Sequence, residues 1–132
     1  MRRLIAHLVG DYVVQSDWMA QTKTKSSKSA AAHATSYAAC FLTETRDPRA
    51  LAVIGGTHYM IDHWRLARYV VWAKNQVAPA EFRYTLEGAQ WHGYGPRPAS
   101  DNWLTGWLLF IADNTMHLMI NEWALNRWGQ KE

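Results

Sequence analysis

Three pairs of histidine and aspartate, each with its members four residues apart, constrain this chain more than any other feature. They are His7 and Asp11, His58 and Asp62, and Asp113 and His117. Residues four apart lie one above the other on one face of an α-helix, so each pair can offer a nitrogen and an oxygen to one ligand. Random placement of six His and six Asp in 132 residues would give roughly 0.5 such pairs, although this spacing also describes ordinary helix-surface neighbours. All three pairs lie among apolar residues, where charge is costly unless it is paired or metal-bound.

Apolar residues recur at helical spacing in every long segment, which predicts an all-α fold. We expect a compact bundle of four main helices, over residues 2–15, 26–43, 47–75 and 101–128. Ser26 or Ser27 and Asp47 suit N-caps, and Ser100 or Asp101 suits the cap of the last helix. The pair Gly55-Gly56 is a weak point in the third helix.

A segment rich in Gly, Pro and aromatic residues precedes the last helix, over residues 85–100. It predicts a structured loop, which is either a lid over a site or a simple connector. The length suits one domain, so we expect a single helical metal-binding domain over residues 1–132.

The composition is that of a globular protein, with 48% hydrophobic and 19% charged residues. A net charge of +3 favours small anionic substrates, but the short cluster of Lys23, Lys25 and Lys28 is not a strong nucleic-acid signal. No run of about 18 apolar residues and no secretory signal is present, which predicts a cytoplasmic protein. Eight Trp leave peripheral contact with a membrane open.

A seventh candidate ligand, His33, points inward from the second helix beside Tyr37. The candidate ligands are therefore His7, Asp11, His33, His58, Asp62, Asp113 and His117. A nitrogen and oxygen set without thiolate suits Zn²⁺ best, with Mn²⁺, Fe or Ni²⁺ as alternatives. Seven candidates exceed the four ligands of one zinc ion, so either two ions bind or some of these residues contact the ligands instead.

Two further residues are candidates for catalysis. His63 follows Asp62 but lies about 100° round the helix, where it could carry a proton. Arg65 lies two turns after His58 and could hold a phosphate, or else form a salt bridge with an aspartate. No phosphate-binding Gly-rich loop, nucleophile elbow or His-Glu-x-x-His motif is present in the sequence.

The order and spacing of these motifs resemble those of a family of short bacterial and phage helical proteins of unknown function. The resemblance extends from residue 4 to about residue 120, and its motifs are His7-x-x-Gly10-Asp11-x-x-x-Gln15-x-Asp17, a Lys-rich turn before His33, His58-x-x-x-Asp62 and Asp113-x-x-x-His117. That family is similar to inner-membrane proteins predicted to be metal-dependent hydrolases. The resemblance implies a shared helical metal site at the seven candidate ligands and implies no particular reaction.

The sequence thus supports two hypotheses. The first is a metal-dependent hydrolase that acts on a phosphoester through a metal-activated water held by His/Asp pairs on facing helices. The second is a non-catalytic phage or bacterial binding or inhibitor protein, in which the same residues form a structural metal site or a buried polar network.

Overall fold

The computed structural model describes residues 1–80, 83, 85, 86 and 103–129. These residues contain six α-helices and no strand, so the predicted all-α fold is confirmed. The helices are α1 (Arg2–Leu8), α2 (Asp17–Thr22), α3 (Ser27–Cys40), α4 (Pro48–Trp64), α5 (Ala67–Asn75) and α6 (Trp103–Trp128). A π-helical segment, Val9–Val13, continues α1, and a 3₁₀ turn, Phe41–Thr43, continues α3.

The chain forms two compact units. The first unit comprises Met1–Trp64 and His117–Glu132, and the second comprises Arg65–Met116. The last helix, α6, runs from the second unit into the first. No helix in the described part of the chain is long and apolar enough to cross a membrane.

The predicted first helix changes its winding where it reaches the candidate ligands. The α-helix ends at Leu8, and Gly10 and Asp11 lie in the π-helical segment. A Cβ atom at Gly10 would lie 2.5 Å from Cδ2 of the fully buried Tyr37. Only glycine therefore allows this close approach of the two backbones, and π-helical turns of this kind occur often at functional sites.

The predicted third helix, over residues 47–75, is two helices, and the position of its weak point was wrong. Gly55-Gly56 lie inside α4, where a Cβ atom on Gly55 would be 3.2 Å from Cβ of Ala38 on α3. The break comes at Arg65, which has a left-handed backbone with φ of 51°. A left-handed conformation costs a non-glycine residue roughly 1–2 kcal/mol. No glycine or proline near Arg65 predicts the break from the sequence.

Helix starts follow the predicted caps where the structure describes them. The Ser26 hydroxyl accepts a hydrogen bond from the backbone N–H of Ser29, and Asp47 Oδ1 accepts one from the backbone N–H of Arg49 at 2.8 Å. The Arg49 guanidinium also binds both Asp47 oxygens, which lowers the pKa of Asp47 to about 2. The predicted cap at Ser100 and nearly all of the predicted 85–100 loop lie outside the described residues.

The apolar core of the first unit lies beside the candidate ligands. It contains buried residues from four helices and the 3₁₀ turn, namely Ala6, Tyr37, Phe41, Ile54, Ala124 and Leu125. Tyr37, Phe41 and Ile54 are inaccessible to solvent. Tyr37 belongs both to this core and to the polar cluster described next, so the core positions the site.

A candidate metal centre

Six of the seven candidate ligands come together in the interior of the first unit. We call them the His/Asp cluster: His7 from α1, Asp11 from the π-helical segment, His33 from α3, His58 and Asp62 from α4, and His117 from α6. Each is buried, with at most 8% of its surface exposed. Polar residues this deep must be paired or bound to an ion.

Four ligand atoms lie close together at the centre of the cluster, two imidazole nitrogens and two carboxylate oxygens. The Nε2 atoms of His33 and His58 are 2.9 Å apart. Asp62 Oδ2 lies 3.2 Å from each of them, and Asp11 Oδ1 lies 3.5 Å from His33 Nε2 and 3.3 Å from His58 Nε2. Ligands 2.0–2.2 Å from a tetrahedral zinc ion are about 3.3–3.6 Å apart, so the two nitrogens together with either oxygen have, to within a few tenths of an ångström, the spacing of three ligands in such a shell.

Each aspartate turns its second oxygen to an outer histidine. Asp11 Oδ2 lies 3.4 Å from His7 Nδ1, and Asp62 Oδ1 lies 3.3 Å from His117 Nε2. Two sets of three residues therefore offer ligand atoms within 4.8 Å of one another: Asp11, His33 and His58, and His58, Asp62 and His117. The outer histidines contact the carboxylate oxygens that face away from the centre, and His117 is itself a member of the second set.

One buried carboxylate oxygen of the cluster lacks a hydrogen-bond partner among the described residues, and a bound cation would take that partner's place. Asp11 Oδ1 is buried and finds no hydrogen-bond partner among the described residues, although it faces the Nε2 atoms of His33 and His58. A buried oxygen without a partner costs about 1–3 kcal/mol. The Nδ1 atoms of both histidines likewise lack a partner in this part of the chain, so ring packing orients the imidazoles. The donor set thus fits a divalent ion. The Nδ1 atom of a metal-bound histidine usually donates a hydrogen bond that orients the ring, and here ring packing orients the two imidazoles instead.

Tyr37 supplies that packing, and its role was not predicted from the sequence. Its ring stacks on His58 with centroids 3.7 Å apart. Its hydroxyl lies 2.7 Å from His7 Nδ1 and accepts a hydrogen bond from Asn121 Nδ2 at 2.5 Å. Burial raises the pKa of Tyr37 well above its ordinary value, so the hydroxyl stays protonated. The signal for both residues was available, because Tyr37 and Asn121 each lie four positions after a candidate histidine.

Lys23 also contacts the cluster, a role that the sequence did not indicate. Its Nζ atom lies 2.6 Å from Asp62 Oδ2 and 2.8 Å from Gln15 Oε1, and its side chain is 20% exposed. His63, predicted to carry a proton, directs its Nδ1 to the Lys23 carbonyl oxygen at 2.7 Å and stacks on Tyr59. His63 therefore contacts the cluster through Lys23.

The charges of the cluster follow from burial and mutual hydrogen bonding. Burial acts to raise the pKa of Asp62, but hydrogen bonds from His117, His33 and His58 outweigh it and hold that pKa well below its ordinary value. Burial acts to raise the pKa of Asp11, but its interactions with His33 and with the other neighbouring imidazoles outweigh burial and lower that pKa. Burial lowers the pKa of His58. Both carboxylates are therefore ionised at neutral pH beside a His58 imidazole that burial keeps neutral.

The remaining two predicted site residues belong to the second unit. Asp113 is half-buried on α6, one turn before His117, and is a member of neither ligand set found among the described residues. Arg65 is the first residue of the second unit, just after α4. It is not on the face of α4 that carries His58 and Asp62, because the helix has already ended.

The match to a known family covers nearly the whole chain. The family model described as "Protein of unknown function (DUF3307)" matches residues 1–121, a range that includes every member of the His/Asp cluster. Comparisons with curated proteins and with solved structures give no match.

Proposed function

We propose that this chain, which belongs to the DUF3307 family, binds a divalent metal ion in the His/Asp cluster and is a metal-dependent hydrolase that acts on a phosphoester. The observation that carries the metal site is the convergence of His33 Nε2 and His58 Nε2, 2.9 Å apart, with one oxygen of Asp11 and one of Asp62, each within 3.5 Å of both nitrogens. These atoms come from three separate segments, so the proximity of residues four apart on one helix does not by itself explain why they lie together.

His33, His58, Asp11 and Asp62 would hold the ion, with His7 and His117 turned to the outer carboxylate oxygens. The nitrogen and oxygen donors suit Zn²⁺ first, with Mn²⁺, Fe or Ni²⁺ as alternatives. Charge favours one ion over two. The two carboxylates and the Lys23 ammonium leave one net negative charge when the imidazoles are neutral, which is far from balancing two divalent ions.

A bound divalent ion would polarise a phosphoryl oxygen and make hydroxide available from water near neutral pH. The protein's own contribution is a buried, preorganised set of charges, in which electrostatic interactions are stronger than in water. The phosphoester class is supported by the net charge of +3 and by Lys23 at the cluster. The roles of His63 in proton transfer and of Arg65 in anion binding stay predictions.

The second candidate is a non-catalytic binding or inhibitor protein with a structural ion or a buried polar network at the same place. It is favoured by the deep burial of all six residues and by their ion pairs with one another and with Lys23. A fully satisfied network of this kind would specify one packing of the four helices without any chemistry.

Metal content followed by a phosphoesterase assay separates the two candidates. We expect the purified protein to hold about one divalent ion per chain by elemental mass spectrometry, and to hydrolyse an aryl phosphomonoester or phosphodiester until a chelator is added. Asp62→Asn should lose the ion, whereas Asp17→Asn, an exposed position on α2, should keep it. Turnover that survives complete metal removal would contradict a metal-dependent hydrolase, and a bound ion without turnover would favour the second candidate.

A further inference from the structure

We propose that Lys23 forms an anion subsite beside the His/Asp cluster and donates a hydrogen bond to a phosphoryl oxygen of the ligand. This inference rests on the proposed function. It assigns the anion to one lysine of the short basic cluster formed by Lys23, Lys25 and Lys28.

The backbone of Lys23 is held from two sides. Lys23 caps the C-terminal end of α2, where its N–H donates to the Met19 carbonyl at 2.9 Å. Its own carbonyl accepts a hydrogen bond from His63 Nδ1 at 2.7 Å, and the His63 ring is stacked on Tyr59. A lysine on a mobile turn would lose conformational entropy on binding an anion, whereas here much of that entropy has already been lost in folding.

The ammonium group has a donor to spare. It carries three N–H donors, and the described residues supply two acceptors, Gln15 Oε1 and Asp62 Oδ2. The side chain is partly exposed, whereas the histidines of the cluster have almost no exposed surface. A third acceptor would therefore approach the ammonium from a side that solvent can reach.

Such an acceptor would lie close to the proposed metal ligands. Asp62 Oδ2, which binds Lys23, is also 3.2 Å from Nε2 of His33 and of His58. Two hydrogen bonds of about 2.7 Å that meet at a tetrahedral nitrogen place their acceptors roughly 4.4 Å apart. A phosphoryl group carries several oxygens on one phosphorus atom, so one oxygen could bind Lys23 while another faces the ion. Lysine is a common phosphate-binding residue because it offers a compact charge.

The placement of His63 makes it a positioning residue for this subsite. Its Nδ1 contacts the Lys23 carbonyl and not the ligand atoms of the cluster. We therefore expect loss of the His63 ring to weaken anion binding through Lys23 while metal content stays unchanged. The proton-transfer role predicted from the sequence would instead change turnover without changing anion affinity.

The test is titration of inorganic phosphate into zinc-loaded protein by isothermal calorimetry, with the unmodified protein and three variants compared. Lys23→Gln should bind phosphate about tenfold more weakly than the unmodified protein, which corresponds to about 1.4 kcal/mol. Lys25→Gln is the matched control, because Lys25 lies in the same turn, is exposed and loses the same charge. It should bind phosphate as the unmodified protein does, and Lys23→Arg should restore most of the affinity.

Zinc content is measured first on every chain, so that failure of the metal site can be distinguished from failure of the Lys23 subsite. An unmodified protein without zinc would refute the metal site and the subsite together. Zinc-loaded Lys23→Gln with unchanged phosphate affinity would overturn the subsite alone. Loss of zinc in Lys23→Gln would also overturn it, because Lys23 would then serve the metal centre itself.

A measurement on the unmodified protein covers the case in which Lys23→Gln does not fold. Phosphate should slow the acetylation of Lys23 by acetic anhydride, read by peptide mass spectrometry, and should leave the acetylation of Lys25 unchanged. Equal rates at Lys23 with and without phosphate would overturn the subsite.

Discussion

Single residues at the centre of the first unit each satisfy several neighbours at once. The Tyr37 hydroxyl joins His7 to Asn121, and its ring covers His58. Each hydrogen bond by itself adds little to the free energy of unfolding. Removing such a residue costs more, because it leaves buried polar partners without a hydrogen bond.

Tyr37→Phe should destabilise the protein by about 1–3 kcal/mol, because the buried Asn121 amide would lose the oxygen to which it donates and His7 Nδ1 would lose its contact with the hydroxyl. The measurement is the midpoint of urea unfolding at constant slope. Tyr59→Phe is the control, since no hydrogen bond of the Tyr59 hydroxyl is found within the described chain and its ring stacking on His63 would be kept. Equal losses in the two variants would show that the Tyr37 hydroxyl has no special role.

At the scale of single elements, two glycines in helical segments have opposite surroundings. Gly10, in the π-helical segment, is pressed against Tyr37, whereas a Cβ on Gly56 in α4 would meet nothing within 4 Å. One glycine is therefore required by packing, and the other only weakens its helix.

Gly10→Ala should destabilise the protein by about 1–3 kcal/mol, because the new methyl group would overlap a buried ring that has no room to move. Gly56→Ala should instead stabilise it by about 0.5–1 kcal/mol, since alanine loses less backbone entropy in a helix. Urea unfolding of the two variants checks both signs. Stabilisation by Gly10→Ala would contradict the close approach to Tyr37.

The start of α4 provides a prediction of pH dependence. The folded pKa of Asp47 is about 2, below its ordinary value of 3.8, because the Arg49 side chain binds the carboxylate. A lowered folded pKa gives stability that is present above pH 3.8 and is lost as the pH falls toward 2. Asp47→Asn should therefore melt at a lower temperature than the unmodified protein at pH 7, and the difference should shrink between pH 4 and pH 2. A difference that stayed constant over that range would exclude the ionised cap as its cause.

For the first unit as a whole, the His/Asp cluster joins segments that are far apart in the sequence. A metal ion that binds only the folded state stabilises it by RT ln(1 + [L]/Kd), about 2.7 kcal/mol at a hundredfold excess over Kd. We expect chelation to lower the melting temperature by several degrees, and Asp62→Asn to show no response to zinc or chelator. The control Asp17→Asn should respond as the unmodified protein does, and identical melting with and without chelator would contradict a bound ion.

The surface of the first unit bears on the predicted membrane contact. The apolar stripe of α1 and its π-helical continuation is largely exposed, with Ile5 at 52% and Val13 at 74%, while His7 and Asp11 face inward. If this face meets a membrane, Ile5→Glu should reduce cosedimentation with anionic vesicles, whereas Leu42→Glu, at another exposed apolar position, should not. Equal sedimentation of both variants and the unmodified protein would argue against the contact.

The expectation of one domain over residues 1–132 stays a prediction. The chain forms two compact units, and no sequence signal marks the junction between them at Trp64–Arg65. The break in the third helix could not be read from sequence because Arg65 adopts its left-handed backbone without a glycine or proline nearby. Gly55, in the expected weak point, instead packs closely against Ala38 of α3.

The sequence by itself determined the local features of this protein: helical periodicity, the caps at Ser26 and Asp47, and the pairing of His58 with Asp62. These depend on residues at most four positions apart, whose geometry a helix defines. The tertiary structure alone decided that four helices bring their polar faces together, that Tyr37 and Lys23 join them, and that the apolar face of α1 stays exposed. A hydrophobic pattern identifies a face, but what that face meets depends on contacts such as Lys23 with Asp62, 39 residues apart, and these form only when the whole chain folds.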